Sequence, residues 1–243
     1  MKRIAIVLFS IVLGGCSLSE DTPQADFYIN SYTVNFSSST DNWEVDFADY
    51  PVSRKDSVTY ELTTSIDKMP ASTGLTGTGL LISGNNSNGD LFMFLKRKIG
   101  GLVPNTDYTI VFDVQVASDA PPWVLNGSYA GSPGLGVYLK AGAVSKEPVK
   151  VVNGDYYRMN IDKGDQGASG ADMITIGDIA VSPYNGSYAL LTRSSSTVDT
   201  PITVHTNGNG ELWLIVGTDS TFQGPTTVYY SRIDVVFSAN SKQ

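Results

Sequence analysis

From Asp26 onward, apolar and polar side chains alternate with a period of two. In WEVDF (43–47), Trp43, Val45 and Phe47 share one face, with Glu44 and Asp46 on the other. In YTIVFDVQVAS (108–118), Tyr108, Ile110, Phe112, Val114 and Val116 point one way, and Thr109, Asp113 and Gln115 point the other way with Val111. Such alternation belongs to half-buried strands and cannot form a helix face. The runs ELWLIVGT (211–218) and TTVYYSRIDVVFS (226–238) flank DSTFQGP and predict two long strands, the second near a sheet centre. About twelve such runs recur, separated by Gly, Pro, Asn and Asp. The pattern predicts an all-β sandwich of mainly antiparallel strands over residues 26–243. Trp43 and Trp213 lie in alternating strands and are expected in its core.

Between LFMFLKRKIGG and the strand from Tyr108 lies LVPNTDY (102–108). Its Leu-x-Pro-x-Thr-x-Tyr spacing resembles the tyrosine corner of β-sandwich domains, in which a tyrosine hydroxyl ties down the preceding loop. Fibronectin type III domains carry it, but they run to about ninety residues with simple hairpins. Here the strands are more numerous and no second corner, internal repeat or second linker is visible, so one jelly roll is expected. The corner with its flanking strands and the final VYYSRIDVVF resemble galactose-binding-like jelly rolls of bacterial surface proteins. That resemblance covers about a quarter of the chain and implies a carbohydrate-binding role.

The first residues follow a different logic. Lys2 and Arg3 precede a run, 4–13, that is apolar apart from Ser10, and Gly14 and Gly15 follow. Charge, apolar run and small residues in that order make a secretory leader, expected over 1–15. As a helix the run spans roughly 15 Å, half of a ~30 Å hydrocarbon core, too short for a permanent span. Leu13-Gly14-Gly15-Cys16 resembles the lipobox of bacterial lipoproteins. The resemblance implies a diacylglycerol thioether on Cys16, cleavage before it, and a fatty acyl chain such as palmitate on the new amino group. The membrane is then a partner through lipid, since several chains anchor stably where one does not. Residues 16–25, CSLSEDTPQA, read as a polar tether of at most about 35 Å. Ser17 stands where the family's inner-membrane sorting pattern has aspartate, which points to the outer membrane.

Composition narrows the partners. Loss of residues 1–15 removes Lys2 and Arg3 and no acid, leaving 14 basic and 24 acidic side chains and a net charge of −10. Such a balance disfavours nucleic acid and anionic lipid surfaces. Charged residues are 16% of the chain, against about 25% for ordinary domains. Cys16 is the only cysteine, so once it is lipidated no disulfide is available and stability falls to a packed core.

The chemistry-bearing residues are few. His205 is the single histidine, in PITVHTNGNG, and no second His or Cys is present to build a nucleophile–base pair or a zinc site. It is read as structural or exposed. No Gly-x-Ser-x-Gly, GxGxxG or phosphate loop is present. Nineteen Asp and five Glu leave a glycosidase carboxylate pair possible in principle.

Two loops and one charge cluster stand out. In NIDKGDQGASGADMITIGD (160–178), aspartates lie among four glycines. Gly-rich loops can turn carbonyls toward calcium, and Asp162 and Asp165 are the candidate ligands of a structural calcium. Lys163 argues against it, and solvated turn aspartates are the competing reading. No other cofactor is called for. In DAPPWVLNGSYAGSPGLG (119–136), Trp123 and Tyr129 sit on a segment that Pro and Gly keep out of a continuous strand. Aromatic rings there either cap the core or present a platform for sugar C–H faces, with Asn126 and Asp119 to take hydroxyls. The basic KRK (96–98) reads as a guard on an edge strand. Three functions compete: non-catalytic recognition of a glycan or other envelope ligand, an assembly lipoprotein that binds an envelope protein, and a glycoside hydrolase.

Overall fold

A computed structural model of the chain describes residues 29–125 and 129–239. The leader, Cys16 and the tether to residue 25 lie outside the described residues. Two sheets, antiparallel in every strand pairing, face each other across the core. The first contains β1 (Ile29–Asn35), β3 (Thr63–Lys68), β4 (Thr78–Asn85), β6 (Asp107–Ser118), β11 (Ala189–Ser194), β12 (Ile202–His205) and β14 (Pro225–Ala239). Its order is β11–β6–β14–β4–β3, with β1 against the last half of β14 and β12 against the start of β6. The second runs β10 (Met173–Asp178), β7 (Val137–Val144), β13 (Leu212–Ser220), β5 (Leu91–Ile99), β2 (Glu44–Ala48). Strands β8 (Lys150–Asn153) and β9 (Tyr156–Met159) form a separate hairpin.

Consecutive strands cross from sheet to sheet: β4, β5, β6 and β7 alternate between the two, as do β10 with β11 and β13 with β14. This is a jelly-roll β-sandwich, the expected fold class. As the alternation predicted, Tyr108, Ile110, Phe112, Val114 and Val116 of β6 are buried in the core. Val228, Tyr230, Ile233, Val235 and Phe237 of β14 meet them there, and β14 lies at the sheet centre. Each such side chain contributes about 1.5–3 kcal/mol on leaving water. The tyrosine corner forms: the backbone N–H of Val103 donates to the Tyr108 hydroxyl at 3.1 Å, and Tyr108 is buried.

Three expectations change. The KRK segment belongs to β5, an interior strand and not an edge strand, but β2 pairs with it only as far as Lys96, so Arg97 and Lys98 have β13 on one side alone. Each cation has its own partner: Lys96 with Glu147, Arg97 with Asp41 and the Tyr32 ring, Lys98 with Glu211. Trp43 is in the core, but Trp213 lies half-buried on the other face of its sheet, under Lys96. Finally, the 160–178 segment ends in strand β10, paired with β7.

The outer face of the second sheet is covered. Ala48, Phe92, Phe94, Val144, Met173 and Ile215 pack there with Ile161, and Met159 and Trp213 lie against them. The β8–β9 hairpin and the loop after it therefore form a third layer on that side.

Candidate functional site

Two loops meet at one end of the first sheet. Strand β6 ends at Ser118, whose hydroxyl donates to the Ile179 carbonyl at 2.8 Å and accepts from the Ala120 amide at 3.1 Å. The Val181 amide then donates to Ala120 at 2.9 Å, and the Gly134 amide to Pro121 at 3.0 Å. A Cβ on Gly134 would fall 2.6 Å from the Ala180 backbone, so only glycine lets the two loops lie this close. Across the gap, the Gln223 amide donates to Ala130 at 2.8 Å. Gly224 clears space for rings, since a Cβ there would lie 2.8 Å from Tyr129 and 2.6 Å from Phe222.

These contacts frame a cavity of about 230 Å³. Ala120, Pro121, Leu125, Pro133, Ile179 and Phe222 supply apolar lining, and Asp119, Tyr129, Tyr184, Thr226 and Thr227 add polar atoms. Two aromatic pairs reach its lining, and a third lies near Asp119. Trp123 meets Tyr184 edge-on with centroids 5.2 Å apart, and Tyr129 meets Phe222 at 5.7 Å. Tyr188 meets Tyr229 at 5.4 Å and 90°. Trp123 is 52% exposed and Tyr129 43%. Neither is a buried cap over the core.

Asp119 is the one carboxylate lining this cavity among the described residues. Desolvation by its neighbours pushes its carboxyl above the usual range, against the pull of its own backbone N–H. Its charge is felt by the tyrosines: burial chiefly, and Asp119 next, push the Tyr188 phenol up to about 12. Tyr229 is raised by burial, then by Asp67 and Asp119.

The fold thus brings Asp119 and Tyr129 to one cavity and sets Trp123 against its wall. Asn126 lies outside the described residues. Sequence reasoning missed Tyr184, Tyr188, Tyr229 and Phe222. The signal for the first two was present in SPYNGSY (182–188), where tyrosines punctuate a Pro- and Gly-broken loop as they do in 119–136.

The 160–172 loop is built differently. Asp162 accepts from the Gly164 amide at 3.0 Å and the Ala171 amide at 2.9 Å, and these bonds lower its carboxyl below the usual range. Asp165 is exposed and does not join Asp162 in a group of converging carboxylates. The loop's carbonyls do converge, on an ammonium: Lys140 Nζ donates to Lys163 O at 2.7 Å, Ala168 O at 2.9 Å and Gly164 O at 3.3 Å.

Beside it the described acids that gather most closely are Asp49, Asp90 and Asp219. Lys163 lies 2.6 Å from Asp219 and 3.0 Å from Asp49, and Arg158 pairs with both Asp49 and Asp90. With Lys140, three cations face three carboxylates. Burial would lower the Lys163 ammonium, but Asp219 and Asp49 outweigh it and raise the group, whereas desolvation wins at Lys140 and lowers it. His205 is exposed and its Nδ1 lies 2.7 Å from Asp107.

No protein-family model matches the chain, and no curated protein matches it. Solved structures do. The enzymatically active domain of bacteriophage CBA120 tailspike protein 4 is 10% identical with a TM-score of 0.34, over 80% of this chain and 19% of that one. The family 11 carbohydrate-binding module of Clostridium thermocellum, in complex with a β-1,3-1,4-mixed-linked tetrasaccharide, is 11% identical with a TM-score of 0.35, over 84% and 94%. The CBM22-1–GH10 modules of the C. thermocellum endo-1,4-β-D-xylanase 10B, complexed with xylohexaose, give 11%, 0.38, 84% and 28%. The chain therefore spans under a third of the tailspike and xylanase chains. Likeness this distant bears on neither ligand nor mechanism.

Proposed function

We propose that this chain is an exported, lipid-anchored protein of a bacterial cell envelope that binds a glycan without catalysis, at the cavity between the 119–136 and 179–188 loops. The observation that carries the reading is the exposure of Tyr129 in a recess that also bears a carboxylate and Tyr184, with exposed Trp123 packed against Tyr184. Contiguous exposed aromatic surface marks binding sites in folded proteins. Pyranose rings present C–H faces that stack on such rings, and their hydroxyls suit Asp119 and the threonines. The cavity is smaller than the roughly 300–1,000 Å³ of sites that engulf a drug-sized ligand, which fits one sugar ring at a chain end or branch.

Binding without hydrolysis is supported by the single carboxylate in the lining, since glycoside cleavage ordinarily takes two. The other close carboxylates, Asp49, Asp90 and Asp219, are engaged by Lys163 and Arg158. The anchor rests on Leu13-Gly14-Gly15-Cys16, and the outer-membrane assignment on Ser17. A glycan array probed with the purified full chain beside its Trp123→Ala variant tests the binding. Captured glycans that the variant loses support it, and an array blank for both contradicts it.

A further inference from the structure

We propose that the buried Lys140–Asp219 pair is a self-modification site, whose two side chains condense into an amide that joins β7 to β13. The proposal is independent of the glycan reading and concerns the outer face of the second sheet.

Lys140 stands opposite Gly217 in the β7–β13 register, and Asp219 lies two residues further along β13. The glycine has no side chain to block a diagonal reach, and Lys140 Nζ comes to 3.2 Å from Asp219 Oδ2. Among the described lysine–carboxylate pairs, this one alone has both side chains wholly out of solvent. Water at the other pairs favours the separate ions.

The neighbouring groups occupy the places that condensation requires. Lys140 Nζ donates to Lys163 O at 2.7 Å and to Ala168 O at 2.9 Å, which leaves its third N–H toward the carboxylate. The Gly164 carbonyl stands further off, at 3.3 Å. Lys163 Nζ holds the same Oδ2 at 2.6 Å, whereas Asp219 Oδ1 is buried with no hydrogen-bond partner. One carboxylate oxygen is thus fixed by a charge and the other is free to depart. Phe92 stands opposite Asp219 on β5, and its ring lies 5.1 Å from Lys163 Nζ. Desolvation lowers the Lys140 ammonium against the pull of Asp219, and desolvation is what turns a lysine into a nucleophile.

The step balances within the chain. Lys140 gives one proton to the carboxylate along their contact, and the freed lone pair attacks Cγ. Charge building on Oδ2 meets the Lys163 ammonium. A second proton passes from the nitrogen to Oδ1, the Cγ–Oδ1 bond breaks, and water leaves. The new Nζ–Cγ amide keeps one N–H for the loop carbonyls. A recess bounded by Asp49, Lys163 and Gly164 gives the water a way out. One cation and one anion are consumed together, so Lys163 and Arg158 still face Asp49 and Asp90. Groups held face to face react at effective molarities of about 10⁵–10⁸ M, which favours a condensation that free ions in water do not undergo. Cys16 is the only cysteine, so the amide supplies a cross-link where no disulfide can form.

Peptide mapping of the purified full chain tests this. After unfolding and trypsin digestion, mass spectrometry should find the stretch bearing Lys140 joined to the stretch bearing Asp219. The joined species should be lighter than the two by one water, with no cleavage after Lys140. The Lys140→Arg chain should give the two stretches separately and at full mass. Linear peptides at their sequence masses from the unaltered chain, with cleavage after Lys140, overturn the proposal. A water loss that persists in Lys140→Arg overturns it too, as does a link that runs from Lys163 instead.

Discussion

Lys140 and Asp219 form an ion pair at 3.2 Å with both side chains fully buried, on the outer face of the second sheet. The pair lies beneath the 160–172 loop, whose carbonyls point at the same ammonium. It therefore fastens the third layer to the sandwich by charge rather than by apolar area. Removing Asp219 leaves Lys140 buried with only carbonyl acceptors and takes one of two carboxylates from Lys163, at a cost of about 3–5 kcal/mol. Asp219→Ala should lower the melting temperature by on the order of 10 °C for a domain of this size. The double variant Lys140→Met/Asp219→Leu should lose clearly less than the two single losses added, because the interacting charges go together. Additive losses in calorimetry would show that the two act independently.

Tyr108 and Tyr230 are both buried tyrosines, yet their hydroxyls differ. Tyr108 accepts the Val103 N–H, while the Tyr230 hydroxyl has no hydrogen-bond partner among the described residues. Tyr108→Phe should cost about 1–2 kcal/mol, roughly 3–5 °C in melting temperature. Tyr230→Phe should be neutral or stabilising, since it removes a buried polar atom that nothing satisfies. Thermal melts of both variants check this, and equal losses would contradict it.

Acid should release the 160–172 loop through Asp162. Two backbone amides hold its carboxylate, so its folded value lies below the ordinary 3.8. A depressed acid stabilises the fold fully above the unfolded value and loses that contribution as pH falls through the folded one. The melting-temperature gap between wild type and Asp162→Asn should be open at pH 6 and should close as pH falls below 3.8. A gap that stays constant down to pH 2.5 would mean that the carboxylate's charge is irrelevant.

Trp123 should matter for binding and not for stability. It is half out in solvent and leans on Tyr184, so Trp123→Ala should shift the melting temperature by less than about 2 °C while weakening glycan capture at least roughly tenfold, the stacking of one ring on one aromatic being worth over 1 kcal/mol. Melting curves run beside the binding assay separate the two.

The sandwich was legible because burying one face of a strand writes a period of two into the chain, as in β6 and β14. The third layer was not. In β5, LFMFL is apolar on both faces, and such a run says that the strand is covered twice without saying by what. Lys140 and Asp219 look like solvent-facing residues of their strands until a loop from elsewhere lies over them. The place of KRK on an interior strand was hidden for the same reason: strand order is set by non-local pairing, and β13 joins β5 from more than a hundred residues away.

At the cavity, the 119–136 loop declared itself through Trp123 and Tyr129, aromatics on a backbone that could not be strand. Tyr229 gave no such sign. It is one alternate position in a strong strand, and only the end of β6 beside it brings it near Asp119.

The chain has three tryptophans, so a nitrogen-15 labelled sample gives three indole N–H resonances, and this makes the central claim directly measurable. The Trp43 indole is buried and donates to the Tyr32 hydroxyl at 3.2 Å, and Trp213 lies under Lys96 on the opposite sheet. Titration with a captured glycan should move the Trp123 resonance and leave the other two in place. Saturable binding that shifts Trp213 or Trp43 while Trp123 stays fixed would contradict the account.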